Sequence, residues 1–333
     1  MNKELILFYP GELYRRGNSL SFETYRGRKD FPVKEIGSVF CFAQISFVSR
    51  VFDFLGNNGI PVFFFSYYGF LRGVFVPFNN DLSSNKECFK ITQVKCFLNK
   101  DVRLEIAKEF LVSAVENMVY LLENYNVDEN LIKNFEVYKD YLSKSKDISE
   151  LMLREANMRF NYYKLFGNLI KNKDFDFVNR NYRPPKDPIN AIISFGNTLL
   201  YSFVLAEIFK TDADPKISFL HSPQDNRFSL NLDISEIFKP IIVDRFILQI
   251  VNKRILKVDE HFDLNKDGSC YLNKEGKKIF LKHFLNFLDQ TTKHKLLGRK
   301  VSFKYLIRLE VYKLIKCIRG WEKYVGFRLM EGY

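Results

Sequence analysis

A chain of 333 residues, 47% hydrophobic and 16% aromatic, has the apolar material for more than one core, and this composition excludes a disordered or low-complexity protein. Lys and Arg number 51 against 39 Asp and Glu, a net charge of +12, which favours polyanionic partners through counterion release without specifying one. Met1-Asn2-Lys3-Glu4-Leu5-Ile6 carries no signal-peptide core, no stretch reaches eighteen uninterrupted apolar residues, and Cys41, Cys88, Cys96, Cys270 and Cys317 form no Cys-x-x-Cys pair. A cytoplasmic protein with free, buried thiols is expected.

In chain order, the first eighty residues carry strand and hairpin signals. Leu5-Ile6-Leu7-Phe8-Tyr9 reads as a strand; Gly11-Glu12-Leu13-Tyr14 and Leu20-Ser21-Phe22-Glu23-Thr24 read as a hairpin about Arg16-Gly17-Asn18. Ile45 to Leu55 has helical spacing and stops at Gly56-Asn57-Asn58-Gly59; β character resumes over Ile60 to Phe65, and a turn near Gly69 leads into Leu71 to Val76. Pro77 to Asn85 is a turn-rich linker candidate. From Leu104 to Tyr125 the period becomes helical, with Phe110, Ala114, Val115, Met118, Leu121 and Leu122 on one face, and helical patterns continue to the end. The expected fold is α+β: a β-rich domain over 1–80, a linker over 81–95, and a mainly α-helical domain over 96–333. Near the C-terminus Lys293, Lys295, Arg299, Lys300, Lys304, Arg308, Lys313, Lys316 and Arg319 interleave with Tyr305, Tyr312 and Trp321, a mixture that suits either phosphate binding or a solvated helix face.

Three segments hold polar groups where structural residues are more often apolar. Asp147-x-x-Glu150 is a capping box opening a helix, which places Glu155 in its second turn, beside the face covered by Leu151, Met158, Tyr162 and Phe166. A carboxylate there needs a cation, and Arg159 one turn on could supply it. Asp187-Pro188 is an N-cap followed by proline at the first helical position. The helix after it bears a polar stripe of Asn190, Ser194, Asn197 and Tyr201 among apolar neighbours, suited to a phosphate-lined cleft or to a satisfied core network. Phe219-Leu220-His221 then enters a polar loop before Asp233-Ile234-Ser235-Glu236. Two carboxylates three apart could meet that histidine around Mg2+ or Mn2+; the same pattern is also a capping box.

Other patterns carry less. Asp263-Leu264-Asn265-Lys266-Asp267-Gly268 imitates the start of a calcium loop, but its twelfth position is Lys274, which cannot close a calcium site, so a β-turn is expected. His261, His283 and His294 have no partner pattern. No Walker, dinucleotide-binding or Gly-x-Ser-x-Gly motif occurs.

Taken together the segments resemble the CRISPR-associated adaptation integrase family, the first-numbered of the Cas proteins. The residues that carry the likeness are Glu155 to Tyr163, Arg183-Pro184-Pro185-Lys186-Asp187-Pro188 through Gly196, and Phe219-Leu220-His221 through Asp233-x-x-Glu236-x-Phe238-Lys239-Pro240. Gly59-Ile60-Pro61-Val62 and Leu306-Ile307-Arg308-Leu309-Glu310 extend it over nearly the whole chain. The resemblance implies an N-terminal β domain that forms a homodimer, a helical catalytic domain, and assembly with a small companion Cas protein and double-stranded DNA away from any membrane. By position it makes Glu155, His221 and Glu236 the ligands of Mg2+ or Mn2+, with glutamate where other members carry aspartate at the third place. Asp233 becomes an acidic neighbour and Tyr201 a tyrosine near the reacting phosphate. Arg159, Asn190 and Ser194 fall on the family's active-site helices and, with Arg227 and Lys239, are expected DNA contacts; from the basic C-terminal run Lys304, Arg308 and Lys316 are expected to help retain DNA. The implied activity is insertion of short foreign DNA into a CRISPR array by attack of a 3′-hydroxyl. The alternatives are a transposase-like or repair-type metal-dependent nuclease, and a non-catalytic DNA-binding scaffold in which Glu155 pairs with Arg159 and Asp233-x-x-Glu236 caps a helix.

Overall fold

The computed structural model describes residues 3–77, 88–294 and 297–329, and the chain divides into two units, Met1–Glu87 and Cys88–Tyr333. In the first unit, runs rich in Phe, Val, Leu and Ile alternate with turn residues, and the result is strands: β1 (Lys3–Leu7), β2 (Gly11–Arg16), β3 (Ser19–Thr24), β4 (Gly27–Pro32), β5 (Ile36–Cys41), β6 (Ile45–Phe47), β7 (Val62–Phe65) and β8 (Leu71–Phe75), with one helix, α1 (Ser49–Asn57). One sheet runs β1-β5-β7-β8 and the other β4-β3-β2-β6. The β2–β3 hairpin pairs Leu13 with Phe22 and turns through Gly17 at φ 60°, a left-handed conformation that glycine adopts without strain. Leu7, Leu13, Leu20, Val39, Val51, Leu55 and Val62 join both sheets and α1 in one core. The helical expectation from Ile45 is half right. Ile45–Phe47 extends to pair in parallel with Gly11–Leu13, because an open sheet edge offers those backbone groups a ladder, and the helix begins only at Ser49.

The second unit starts with α2 (Phe89–Leu98), so the linker expected over 81–95 needs correcting. Residues 81–87 lie outside the described residues, and from Phe89 the backbone is helical. Then follow α3 (Lys100–Asn124), α4 (Glu129–Ser143), α5 (Ile148–Gly167), α6 (Pro188–Ile208), α7 (Leu230–Phe238), α8 (Arg245–Asn252), α9 (Val258–His261), β9 (Phe262–Leu264), β10 (Cys270–Leu272), α10 (Lys274–Leu288), β11 (Thr291–His294), β12 (Arg299–Ser302) and α11 (Phe303–Ile318). A strand-rich unit followed by a mainly helical one is the α+β arrangement expected. Phe110, Ala114, Val115, Met118, Leu121 and Leu122 of α3 are all buried, each large one contributing about 1.5–3 kcal/mol.

α6 is long and apolar enough to cross a membrane, yet 83% of its most apolar window is buried within the protein, which makes it the central core helix. Its N-terminus is set by Asp187, which accepts from Asn190 N at 2.8 Å, with Pro188 behind it. α7 is followed by a π-helical turn, Lys239–Asp244; Pro240 has no N–H to donate, so the α ladder breaks there. At Gly196 a Cβ would come within 2.8 Å of Val243 Cγ1, so only glycine lets α6 lie this close to the turn. The imitation calcium loop is the β9–β10 connection, where Asp267 accepts from Ser269 N at 2.9 Å: a turn, as expected.

Candidate metal and DNA site

α5, α6, the loop before α7, α7 itself and the π-helical turn bring the candidate residues together. Asp147 starts α5 by accepting from Glu150 N at 2.8 Å, and Glu150 reaches back to Lys146 N at 2.7 Å. Two turns later Glu155 Oε1 accepts from Arg159 Nε at 3.3 Å, and Arg159 Nη2 also donates to Glu236 Oε2 on α7. Lys239 Nζ donates to the other oxygen, Glu236 Oε1, at 2.5 Å. Two acids distant in the chain thus share one guanidinium.

His221 lies within the loop between α6 and α7, and Asp233 holds it there. One Asp233 oxygen accepts from the backbone N–H groups of Phe219 at 2.6 Å and Leu220 at 2.9 Å; the other accepts from His221 N at 3.0 Å and meets His221 Nδ1 at 2.7 Å. With Nδ1 carrying the proton towards Asp233, the lone pair falls on Nε2. Ser229 stands at the N-cap of α7 and Asp233 lies a turn inside, so the capping-box alternative for Asp233 and Glu236 is wrong. Arg103 Nε fixes the loop from α3 by donating to Phe219 O at 2.8 Å.

Electrostatics in the cluster are strong because water is mostly excluded. Burial, and then the charge of Glu236, push the Glu155 carboxyl up against the opposing pull of Arg159. Burial also acts upward on Glu236, but Lys239 and Arg159 outweigh it and hold that carboxyl well below its ordinary value. Burial works against the His221 imidazolium, yet the Asp233 bond and charge leave its pKa raised. Glu236 is only 3% exposed, whereas Glu155 and His221 keep 19% and 21% of their side-chain surface, so the cluster meets solvent at those two groups.

Two carboxylates and one imidazole nitrogen form a donor set that suits a hard divalent cation. Among the described residues, however, no three His, Cys, Asp or Glu side chains stand as a metal cage. In this arrangement Arg159 holds both Glu155 and Glu236, and Lys239 holds the second oxygen of Glu236.

Tyr201 lies on the rim, its ring 5.3 Å beneath Lys239 Nζ. The remaining expected DNA contacts divide sharply. Asn190 is fully buried and saturated: it accepts from Arg180 Nη1 at 2.7 Å and Asn181 N at 2.9 Å, and donates to Asn179 O at 2.9 Å and Asp187 Oδ2 at 2.6 Å. It clips the 179–187 loop to α6 and has nothing left for DNA. Ser194 accepts from Arg180 Nη2 at 3.0 Å. Asn190 and Ser194 of the polar stripe thus belong to a network centred on Arg180, which the spacing rules did not single out, whereas Asn197 Oδ1 is buried without a partner. Lys304 is buried at 5% exposure, Arg308 Nε is bound to Glu207 at 2.5 Å, and Lys316 pairs with Glu322 at 2.9 Å. Lys239 and Arg159 are committed within the cluster. Arg227 is half-buried, and its Nε has no partner.

Sequence reasoning also missed Asp244 and Tyr162 as a pair. Tyr162 Oη donates to Asp244 Oδ2 at 3.0 Å in the core. A lone acid after Ile241-Ile242-Val243 was the available signal.

Comparison with known proteins identifies the family. Residues 5–286 match the family CRISPR associated protein Cas1. The chain is 41% identical over 331 residues to the CRISPR-associated endonuclease Cas1 2 of Thermodesulfovibrio yellowstonii, covering 98% of this chain and 99% of that one. Its fold superposes on a CAS1 protein from Thermotoga maritima with a TM-score of 0.86 at 35% identity, covering 98% and 100% of the two chains. A casposase bound to an integration product gives a TM-score of 0.85 at 21% identity, over 99% and 94%, a likeness of fold. The matches span the strand-rich unit, α5, α6 and the His221 to Glu236 segment alike, and the chain belongs to the CRISPR-associated Cas1 family.

Proposed function

We propose that this chain is a DNA integrase and endonuclease of CRISPR adaptation that inserts short duplex fragments into a repeat array, with Glu155, His221 and Glu236 as ligands of one Mg2+ or Mn2+ ion. The observation that carries the reading is the meeting of Glu155 and Glu236 on Arg159 beside a histidine whose Nδ1 is locked by Asp233. Two acids from different helices, desolvated together beside an oriented imidazole at a surface opening, offer the carboxylate and imidazole donors that a hard divalent cation takes.

A divalent ion bound there would neutralise a scissile phosphate and activate a DNA 3′-hydroxyl. In the joining step the hydroxyl oxygen bonds to phosphorus while the existing P–O3′ bond breaks, and the proton ends on the departing 3′-oxygen. The number of phosphodiester bonds is unchanged, so no nucleotide is consumed. Water in place of the hydroxyl gives cleavage. Asp233 keeps the Nδ1 proton in place and so keeps Nε2 free. Tyr201 and Lys239 border the position a phosphate would take.

Since Lys304, Arg308 and Asn190 are committed elsewhere, we assign phosphate contacts to Lys293, Arg299 and Lys300, which are exposed on the β11–β12 hairpin with Lys293 directly opposite Lys300. Like charges facing across a strand pair are unfavourable alone and become favourable against a polyanion. The partners in this reading are double-stranded DNA, a second copy of the chain and a small companion Cas protein, in the cytoplasm.

The test is strand transfer with a 3′-hydroxyl duplex and a repeat-containing plasmid in Mg2+ or Mn2+. Joining that disappears in Glu155→Ala or His221→Ala, with folding retained, is expected. Full joining in either variant overturns the site; cleavage without joining, companion protein present, moves the function to the nuclease alternative.

A further inference from the structure

Two buried polar atoms beside the cluster have no hydrogen-bond partner: Arg159 Nη1 and Asp244 Oδ1. Asp244 closes the π-helical turn, is fully buried, and has its other oxygen bonded to Tyr162 Oη at 3.0 Å. Tyr162 stands one turn after Arg159 on α5, so both project from the same side of that helix. The bond from Tyr162 thereby tethers the Asp244 carboxyl to the side that carries Arg159. Burial lifts Asp244 to about 6, and among the cations that pull it back Arg159 acts most strongly; Asp244 acts in return on Arg159.

A buried acid with an idle oxygen, tethered to the side of α5 that carries a buried guanidinium with an idle nitrogen, leaves bonding capacity unmet on both groups. That capacity has a use if Arg159 changes partners. As the side chains stand, Arg159 binds Glu155 and Glu236. A divalent ion that takes Glu155 and Glu236 competes with Arg159 for both and with Lys239 for Glu236, and a displaced Arg159 guanidinium would be left buried and unpaired, a costly state without another acid.

We propose that Asp244 is a positioning residue for the metal site, the reserve counter-ion that receives the Arg159 guanidinium when Glu155 and Glu236 turn to a divalent cation. The inference rests on the metal reading above and names the residue that makes the exchange of cations possible. Asp244 touches neither DNA nor the ion in this scheme; it acts through Arg159.

The experiment is calorimetric titration of the full chain with Mn2+, without DNA, paired with thermal unfolding with and without the ion. Asp244→Asn keeps an acceptor for Tyr162 but cannot carry the counter-charge. Mn2+ binding about ten-fold weaker than in the wild type is expected, with a metal-free unfolding midpoint that is unchanged or higher because a buried unpaired carboxyl is gone. A merely structural residue would lower the metal-free midpoint and leave the affinity in place. Tyr162→Phe is the second variant: with the competing hydrogen bond removed, Asp244 is freer for Arg159, and Mn2+ binding two- to three-fold tighter is expected. Unchanged affinity in Asp244→Asn, or weakened affinity in Tyr162→Phe, overturns the inference. A wild-type chain that binds no Mn2+ overturns the metal reading itself, and the inference with it.

Discussion

The tetrapeptide Glu-Ile-Phe-Lys occurs twice, at 207–210 and at 236–239, and the two copies are put to different ends. Both glutamates are buried, at 2% and 3% exposure, and each is held by its own lysine three residues on, at 2.7 and 2.5 Å, and by an arginine from another helix. Both carboxyls are held below their ordinary value despite burial, by Lys210 foremost at Glu207 and by Lys239 foremost at Glu236. The difference lies in the arginine. Arg308 serves Glu207 from α11 and stays 27% exposed. Arg159 is 12% exposed, is shared between Glu155 and Glu236, keeps a nitrogen idle and sits near Asp244. A buried ion pair is therefore no sign of a site by itself. A surplus of desolvated acids around one shared cation is.

The comparison breaks if both copies respond alike. Glu236→Gln should reduce strand joining by at least about 1000-fold, the scale of several kcal/mol expected when metal-assisted charge stabilisation is lost. Glu207→Gln should leave joining within a few-fold of wild type while lowering unfolding free energy by about 3 kcal/mol, since Arg308 and Lys210 lose a buried partner. Joining assays and urea denaturation on the pair decide this, and an equal loss of joining removes the distinction.

Next in size is a pH effect. Asp244 stands at about 6 in the fold against 3.8 ordinarily. A carboxyl raised in this way contributes stability that is fully present below about 3.8 and is lost as pH rises through about 6. The loss amounts to roughly 3 kcal/mol at most. Carboxyls such as Glu236 and Glu207 are lowered and run the opposite way, so the diagnostic quantity is the difference between Asp244→Asn and wild type. Metal-free urea unfolding at pH 4 and pH 7 should show the variant gaining on the wild type at the higher pH; a constant difference would mean Asp244 does not titrate as described.

Asp233→Asn sharpens the site itself. An amide NH2 would face backbone N–H donors or the Nδ1 proton, so the loop that presents His221 loosens, and metal affinity should fall by about 10- to 100-fold. Wild-type Mn2+ binding in that variant would show that Asp233 only shapes the loop. The smallest expected effect is on the hairpin: Lys293→Ala with Lys300→Ala should lower the slope of log affinity against log salt by about 1.8, some 0.9 per phosphate contact. An unchanged slope would return the DNA path to other residues.

Much of the fold was readable from local signals. The β2–β3 hairpin, the cap at Asp147 and the Asp187-Pro188 start of α6 follow from turn and capping chemistry that depends only on neighbours in the chain. The segment from Ile45 was misread because its strand exists only through pairing with β2, a contact that no local period announces. At the site, sequence located Glu155, His221 and Glu236 but not what lies between them. Whether Arg159 served one acid or two, whether Asp233 capped α7 or gripped His221, and whether Asn190 faced a cleft or the 179–187 loop all depend on where distant helices cross. The basic C-terminal run shows the same limit: Lys304, Arg308 and Lys293 look equivalent along the chain, and only folding separates the buried, the paired and the exposed.

The most direct measurement is anomalous diffraction from crystals of the protein grown with Mn2+. The expected result is one peak bounded by Glu155, Glu236 and Nε2 of His221, with the Arg159 guanidinium withdrawn from both glutamates. A lattice saturated with Mn2+ in which Arg159 still bridges Glu155 and Glu236, and no ion lies between them, would contradict the metal site and the exchange built on it.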